Sequence, residues 1–153
     1  MKIYEITEQK KRYISLLLLA DEQENMIDRY LDSGTMYVLD DDGVKAECVV
    51  TDEKDGIIEI KNLATEPAYH GKGYGRMLIE FVADKYRESH SILQVGTGDS
   101  PLTIPFYERC GFVRHHIVEN FFTDNYDHPI FENGVMLADM VYLRRVLNKG
   151  DKK

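Results

Sequence analysis

The stretch YHGKGYGRMLIEFV, residues 69 to 82, carries a glycine at every second position from 71 to 75 and then becomes strongly amphipathic. The apolar side chains that follow keep the i, i+3, i+4, i+7 spacing of one helix face: Tyr74, Met77, Leu78, Phe81, Val82 and Tyr86. The segment before it, IIEIKNLAT at residues 57 to 65, is typical of a strand. The centre of the chain is therefore predicted to be a strand, a glycine-rich loop and a helix.

Considered without the rest of the sequence, the glycine loop has two interpretations. The first turn of a helix leaves backbone N–H groups without partners, and its dipole attracts anions. Gly71, Gly73 and Gly75 would let the backbone approach a phosphate closely, with Lys72 and Arg76 adding positive charge. The nucleotide motifs GxxxxGK[ST] and GxGxxG do not match. An ordinary tight turn is therefore equally compatible with the loop alone.

Strands and helices are also predicted on both sides of this centre. The further strands are KIYEI (2–6), TMYVLD (35–40), VKAECVVT (44–51), SILQVG (91–96), FVRHHIVE (112–119) and VMLADMVYL (135–143). A stripe of apolar residues from Tyr13 to Ala20 predicts the first helix, and IPFYERCG (104–111) predicts a short one that Gly111 closes. Residues 21–31 look like another helix, with Asp21 as N-cap and Glu24 completing a capping box.

This order of elements predicts a mixed α/β sheet in one unit from 1 to 147, followed by a polar tail at 148–153. The net charge of −8 argues against a nucleic-acid-binding protein. No apolar run is long enough to cross a membrane, and no signal peptide is evident. Cys48 and Cys110 are interpreted as reduced thiols of a cytoplasmic protein. His115 and His116 are expected to face opposite ways on one strand, so no metal site is predicted.

The segment NLATEPAYHGKGYGRMLIEFV resembles the acetyl-CoA-binding segment of the GCN5-related N-acetyltransferases, the GNAT superfamily. Their motif, Q/R-x-x-G-x-G/A, becomes His70-Gly71-Lys72-Gly73-Tyr74-Gly75, with histidine in the first position. PFYERCGF, residues 105 to 112, resembles a second family element, F-Y-x-x-x-G-F. The resemblance implies a single-domain GNAT-like α/β fold. Its sheet would be mixed and mostly antiparallel, with about six to seven strands flanked by about four helices.

The resemblance also implies a binding site for acetyl-CoA as co-substrate, with no metal. The backbone of Leu63, Ala64 and Thr65 would bind the pantetheine arm. The pyrophosphate would rest on the loop, at His70, Gly71, Lys72, Gly73, Tyr74, Gly75 and Arg76. Ser100 stands where many family members carry an asparagine that touches pantetheine, and it could contact CoA directly, through water or not at all.

Acetyl transfer to an amine needs a deprotonated amine, a donor to the carbonyl oxygen and a proton for the departing thiolate. Tyr107 matches the family's tyrosine general acid, and the alternative is a core aromatic. Glu59 matches the position of a catalytic glutamate, and the alternatives are an ion pair with Lys61 or a water chain as base. Asp21, Glu22, Asp124 and Asp127 could border the acceptor site, although each is more typical of a solvated residue.

The predicted function is acetyl-CoA-dependent N-acetylation of a primary amine on a small cationic molecule. Alternatives are a protein or peptide N-acetyltransferase, a non-catalytic CoA sensor and, more weakly, a nicotinamide-dependent enzyme. The aromatics Phe121, Phe122, Tyr126 and Phe131 could line the acceptor pocket, cover the sheet edge or pack a homodimer interface.

Overall fold

A computed structural model describes residues 1 to 148, and its elements closely follow the predicted order. The strands are β1 Lys2–Ile6, β2 Thr35–Asp40, β3 Val44–Asp52, β4 Ile57–Thr65, β5 Ile92–Gly98, β6 Val113–Val118, β7 Phe131–Glu132, β8 Val135–Met136 and β9 Met140–Val146. The α-helices are α1 Ile14–Ala20, α2 Glu24–Ile27, α3 Tyr74–Tyr86, α4 Ile104–Arg109 and α5 Phe121–Asn125. Short 3-10 turns lie at Lys10–Tyr13 and Pro67–Tyr69.

Within residues 1 to 148, seven strands form one mixed sheet in the order β1-β2-β3-β4-β5-β9-β6, and β7 pairs with β8 in a hairpin. Neighbouring strands of the large sheet run antiparallel except β4 and β5, which are parallel. The parallel pair has α3 as its crossover, as the strand–loop–helix pattern requires. The predicted fold class is confirmed.

Helices cover both faces of the central strands. On one face α3 and α4 pack over a core that includes Leu78, Cys48 and Leu143. On the other face α1 and α2 pack over a core that includes Leu17, Ile27 and Val49. The alternation along β3 therefore separates two buried faces, because Cys48 and Val49 point into different cores and each has 0% exposure.

The helix predicted over residues 21–31 is shorter than expected. It is α-helical only over Glu24–Ile27, and Gln23 stands at its N-cap position without a side-chain capping bond. Asp21 is not an N-cap: its backbone is extended, and its carboxylate accepts hydrogen bonds from two tyrosine hydroxyls. These tertiary bonds replace the local capping bond on which the prediction was based.

The last strand also differs from its prediction. The segment expected as one strand over residues 135–143 divides into β8 and the start of β9. Between them, the Leu137 amide donates to the Ile130 carbonyl at 2.8 Å, and the Ala138 carbonyl accepts from the Phe122 amide at 2.8 Å. Those bonds tie the segment to α5 and its loop, where Leu137, Ile130 and Phe122 form a small core of their own.

The prediction that His115 and His116 face opposite ways is wrong. The pairing of β6 with β9 shifts register between Arg114 and His116, and the two histidine Nδ1 atoms lie 2.8 Å apart. Strict alternation fails at such an irregularity because one residue has no partner opposite it. Among the described residues, no group of three or more His, Cys, Asp and Glu side chains is arranged to hold a metal ion.

The predicted tail at 148–153 lies outside the described residues except for Asn148. Of the helices within residues 1 to 148, none is long and apolar enough to span a membrane.

Glu47 lies two residues from Val49 on the same face of β3 and has 0% exposure. Neither of its carboxylate oxygens has a hydrogen-bond partner in the described part of the chain, and the same holds for Oδ1 of Asn62, its diagonal neighbour across the β3–β4 pair. Burial raises the pKa of Glu47 well above its usual value, and the nearby Ala64 backbone N–H opposes this only in part. The buried environment therefore favours the protonated form of this carboxyl.

We expect Glu47→Gln to stabilise the protein increasingly as the pH rises. Above about pH 4.3 the unfolded chain loses the Glu47 proton while the folded chain keeps it, so wild-type stability falls by up to about 1.4 kcal/mol per pH unit. Glutamine removes this cost. Urea unfolding at several values between about pH 5 and pH 8 measures the difference, with the exposed Glu8→Gln as control. A difference that stays constant with pH would contradict a protonated Glu47.

Candidate active site

An opening in the sheet lies between β4 and β5. Their parallel pairing joins residues 57–60 to residues 92–95 and then stops. At that point β4 contains a bulge, since Val50 pairs with Ile60 and Val49 with Asn62, which leaves Lys61 as an extra residue. A bulge bends its strand and increases its twist. The remainder of β4 therefore diverges from β5.

A cavity of about 490 Å³ occupies the opening. One part of its wall comes from β4, the glycine loop, β5 and α4: Leu63, Ala64, Thr65, His70, Thr97, Thr103 and Tyr107. Another part comes from the end of α1 and from residues 122–137: Leu19, Asp21, Glu22, Phe122, Tyr126, Phe131 and Glu132. Leu63 packs against the α3 core, whereas Asn62, also in the wall, bonds to the Leu17 carbonyl of α1 at 3.0 Å. The cavity thus connects the two faces of the sheet.

The bare edge of β4 is the first feature suited to a ligand. Residues 62–65 continue to pair with β3, but within residues 1 to 148 no strand pairs with their other edge. Backbone N–H and C=O groups on such an edge can bind an extended polar chain as an added strand. Leu63, Ala64 and Thr65, predicted from the sequence to bind pantetheine, all line the cavity here.

The glycine loop is the second such feature. Gly71 and Gly73 have φ of +84° and +82°, and a Cβ added at either position would meet nothing within 4 Å. In the described chain, the backbone N–H groups of residues 71–76 donate no hydrogen bond, and the first amide of α3 to do so is that of Met77, to the Gly73 carbonyl at 3.0 Å. The loop therefore presents a row of free donors at the positive end of a helix of 13 residues.

The side chains around this loop have different roles. Nε2 of His70 lies 2.9 Å from the Thr65 carbonyl oxygen, so the ring ties the loop to the end of β4. Tyr74 is buried and its hydroxyl donates to Asp41, which leaves only its backbone facing the loop. Lys72 and Arg76 are exposed. The backbone amides are thus the groups that the fold holds ready for an anion, and the two cationic side chains lie beside them.

Tyr107 lies on α4 with 8% exposure, between Phe106 and Phe112. Both neighbouring rings meet it edge-on, with centroids 5.1 Å and 5.6 Å away. Its hydroxyl has no hydrogen-bond partner among the described residues, and the side chain lines the cavity. Burial raises the pKa of Tyr107, so the phenol stays protonated. It combines the predicted core packing with a hydroxyl free to act on a ligand.

Ser100 and Glu59 do not line the cavity, and neither do the loop residues Gly71, Lys72, Gly73, Tyr74, Gly75 and Arg76. The Ser100 hydroxyl accepts a hydrogen bond from the Leu102 amide at 3.1 Å, and the residue is 2% exposed. Glu59 is 4% exposed, with its carboxylate 2.9 Å from Nζ of Lys61 and 2.6 Å from Nε2 of Gln94. Lys61, the bulge residue, is the member of that group that reaches the cavity wall.

Sequence reasoning missed how the end of the cavity around Asp21 and Tyr126 is assembled. Asp21 was interpreted as a helix cap and as a residue that could border the acceptor site, but no contact was predicted with Tyr126, which lies 105 residues further along the chain and bonds to it here. Asn62 and Glu132 were not considered at all, although both line the cavity. An alternating strand pattern at Asn62 gave no sign of function, and no local pattern links residues so far apart.

Comparison with known proteins identifies relatives across most of the chain. The family described as Acetyltransferase (GNAT) domain matches residues 32–114, more than half of the chain. The uncharacterized N-acetyltransferase YvbK of Bacillus subtilis (strain 168) is 34% identical over 131 residues, which cover 84% of each chain.

Solved structures agree with this result. A GNAT family acetyltransferase from Elizabethkingia anophelis with acetyl-CoA bound is 34% identical, with a TM-score of 0.89 over 95% of this chain and 97% of that one. The IAA acetyltransferase from Bacillus cereus ATCC 14579 is 33% identical, with a TM-score of 0.89 over 95% of this chain and 99% of that one.

We expect Gly73→Ala to weaken acetyl-CoA binding about tenfold, because the new methyl group occupies the space in front of the free amides and alanine resists positive φ. Isothermal titration calorimetry measures the affinity. Gly134→Ala is the matched control, since Gly134 has φ +78°, has nothing within 4 Å of an added Cβ and lies in the turn between β7 and β8, outside the glycine loop. Both variants should lose about 1 kcal/mol of unfolding free energy. Equal acetyl-CoA affinities for the two variants would show that the loop does not hold the ligand.

Proposed function

The chain belongs to the GNAT family of acetyltransferases, and we propose that it transfers the acetyl group of acetyl-CoA directly to a primary amine of a small cationic molecule. The observation that carries the proposal is the cavity through the β4–β5 opening. It joins a bare strand edge and His70, the residue before the free amides of the glycine loop, to an acidic, aromatic pocket. A transferase needs both compartments in one continuous space, because the two substrates must meet.

On the cofactor side, we assign the pyrophosphate to the free amides of residues 71–76, with Lys72 and Arg76 adding charge from the surface. The pantetheine arm would pair with the bare edge of β4 at Leu63–Thr65. His70 would then hold the loop against β4 through the Thr65 carbonyl instead of serving mainly as a phosphate ligand. Ser100 would shape the turn before α4 through its bond to Leu102.

Acetyl-CoA supplies a thioester whose carbonyl carbon a neutral amine can attack. The departing sulfur needs a proton, because a thiol ionises near pH 8.5. We assign that proton to the hydroxyl of Tyr107, which lines the cavity and has no partner within the described chain. Its raised pKa keeps the proton available throughout the neutral range.

Glu59 was predicted to be the general base, and that role stays a prediction. Its contacts weigh against direct proton transfer, since Lys61 and Gln94 occupy the carboxylate and Glu59 does not line the cavity. A proton could reach Glu59 only through Lys61 or through water. Its contacts favour a positioning role, in which Glu59 fixes Lys61 at the bulge.

The acceptor end of the cavity favours a cationic amine. Asp21, Glu22 and Glu132 contribute carboxylates to the wall, and Phe122, Tyr126 and Phe131 contribute aromatic rings. Carboxylates attract an ammonium group, while the rings can contact its carbon skeleton and add cation–π attraction. The overall charge of −8 would steer cations toward the protein.

We also propose a cytoplasmic location and keep a homodimer as a prediction. Cys48 and Cys110 are buried free thiols, as expected in a reducing compartment. A dimer contact would most naturally use edge strand β6, where Val113 and Ile117 are exposed.

The test is acceptor-dependent release of CoA thiol from acetyl-CoA with a panel of amines: spermidine, kanamycin, lysine amide, an alanine-initiated peptide and tryptamine. We expect the small polycations to be the best acceptors. Tyr107→Phe should lower kcat roughly 100-fold and leave the acetyl-CoA affinity within twofold, because it removes only the donated proton.

Tyr86→Phe is the control, since that hydroxyl bonds to Tyr37 and lies outside the cavity wall. An unchanged kcat for Tyr107→Phe would remove Tyr107 from the mechanism. Turnover of the peptide alone would point to a protein acceptor.

A further inference from the structure

Asp21 occupies an unusual position for an aspartate. It follows the last residue of α1, lines the acceptor end of the cavity and is less than fully accessible to solvent. A carboxylate in a loop is ordinarily free to turn into water. Here the extended backbone at φ −143° and ψ 100° directs the chain away from α1, and the side chain is held in place.

Two tyrosines, one nearby in the chain and one distant, hold the carboxylate. The Tyr30 hydroxyl donates to Oδ2 at 3.0 Å, and the Tyr126 hydroxyl donates to Oδ1 at 2.7 Å. Tyr30 in turn accepts a bond from Nδ2 of Asn62 at 3.1 Å, and the same nitrogen donates to the Leu17 carbonyl. Asn62 is on β4 just past the bulge, is 3% exposed and lines the same cavity. Asp21 is therefore fixed relative to the bare strand edge.

The charge of Asp21 is not balanced by the protein. None of the ion pairs in the described part of the chain includes it, whereas Glu22 pairs with His128 at 3.1 Å and Glu59 pairs with Lys61. Hydroxyl donors only partly replace the water that an ionised carboxylate loses on burial. The wall thus holds an oriented negative group that a ligand cation could neutralise.

We propose that Asp21 is the catalytic base of the acetyl transfer: it binds the ammonium group of the acceptor and takes one of its protons. This rests on the proposed function, because it assigns a role in the same cavity. Tyr30 and Tyr126 are positioning residues that aim the carboxylate. Asn62 positions Tyr30 in turn.

The proton balance follows directly. One proton passes from the ammonium nitrogen to the Asp21 carboxylate, which leaves a neutral amine with a lone pair. The nitrogen then forms a bond to the acetyl carbon as the carbon–sulfur bond breaks. Tyr107 gives its hydroxyl proton to the sulfur, and the second proton lost by the nitrogen restores Tyr107. Asp21 finally releases its proton to solvent, so one acetyl amide, one thiol and one proton are formed.

The ionisation of Asp21 suits this role. Burial raises its pKa above the ordinary value, although the bonds from Tyr126, Tyr30 and the Gln23 backbone offset part of the effect. A base with a raised pKa takes a proton more readily than an ordinary aspartate. The other charged groups nearby are Glu22 with its partner His128, Arg29 beyond Tyr126, and Lys61 and Glu132 elsewhere on the cavity wall.

The test compares Asp21→Asn with the wild type in acceptor-dependent thiol release, using spermidine at several values from about pH 6.5 to pH 9. We expect kcat/KM for spermidine to fall about 100-fold at pH 7 in the variant, while the acetyl-CoA affinity stays within twofold. The pH profile should also change. The wild type should be nearly flat, and the variant should gain tenfold per pH unit, because only the free amine already present in solution can then react.

Asp28→Asn is the matched control, since Asp28 is exposed, pairs with Lys11 and lies outside the cavity wall. Tyr126→Phe should lower kcat less than Asp21→Asn and should keep a flat profile, because it misaligns the base without removing it. An Asp21→Asn rate within threefold of the wild type, or a profile parallel to it, would overturn the proposal.

Absence of turnover by the wild type with every amine would count against the proposed function, and calorimetry then tests Asp21 separately. Spermidine should bind the complex of the wild type with CoA and should not bind that of Asp21→Asn. Equal spermidine binding to the two complexes, or none to either, would overturn the assignment of Asp21.

Discussion

The extra residue at Lys61 is the constraint on which the rest of the site depends. A parallel pair of strands ordinarily continues until one strand ends, but the bulge interrupts this pair after four residues on each strand. The interruption leaves backbone groups of β4 unpaired in the middle of a sheet, where such groups are costly unless a ligand or water satisfies them. The Glu59 carboxylate pairs with Nζ of Lys61, so an ion pair holds the side chain of the bulge residue in place.

The two sides of this opening are formed by different kinds of chemical group. The cofactor side consists mainly of backbone: free amides in the glycine loop and a bare strand edge. The acceptor side consists of side chains, with carboxylates and aromatic rings brought from both ends of the chain. Backbone recognition places few demands on side-chain identity, whereas a pocket of side chains can change without altering the sheet. This difference explains why the sequence indicates the family but does not indicate the acceptor.

Much of the fold could be predicted because its signals are local. TMYVLD and IIEIKNLAT match β2 and β4 residue for residue, and the helical spacing from Tyr74 to Tyr86 matches α3. The failures have a common cause in long-range contacts. Asp21 was predicted to cap a helix but instead accepts bonds from Tyr30 and Tyr126. Residues 137–139 were predicted to continue a strand but instead bond with the segment around α5. Tyr107, which the family resemblance suggested as general acid, lines the cavity, whereas the spacing that suggested Glu59 and Ser100 carried no information about which way their side chains turn.

The position of β9 determines when the site can exist. This strand, contributed late in the chain, lies between β5 and β6 and supplies Val141 and Leu143 to the α3 core. Until β9 pairs with β5, one edge of β5 has no partner strand. On its other edge β5 pairs with β4 through only four residues, and the cavity lies beyond them. A chain emerging from the ribosome can form the β1–β4 meander early through local contacts. The wall of the cavity that carries Thr97 and Gly98 therefore becomes fixed only after residues 140–146 have been synthesised and have paired with β5.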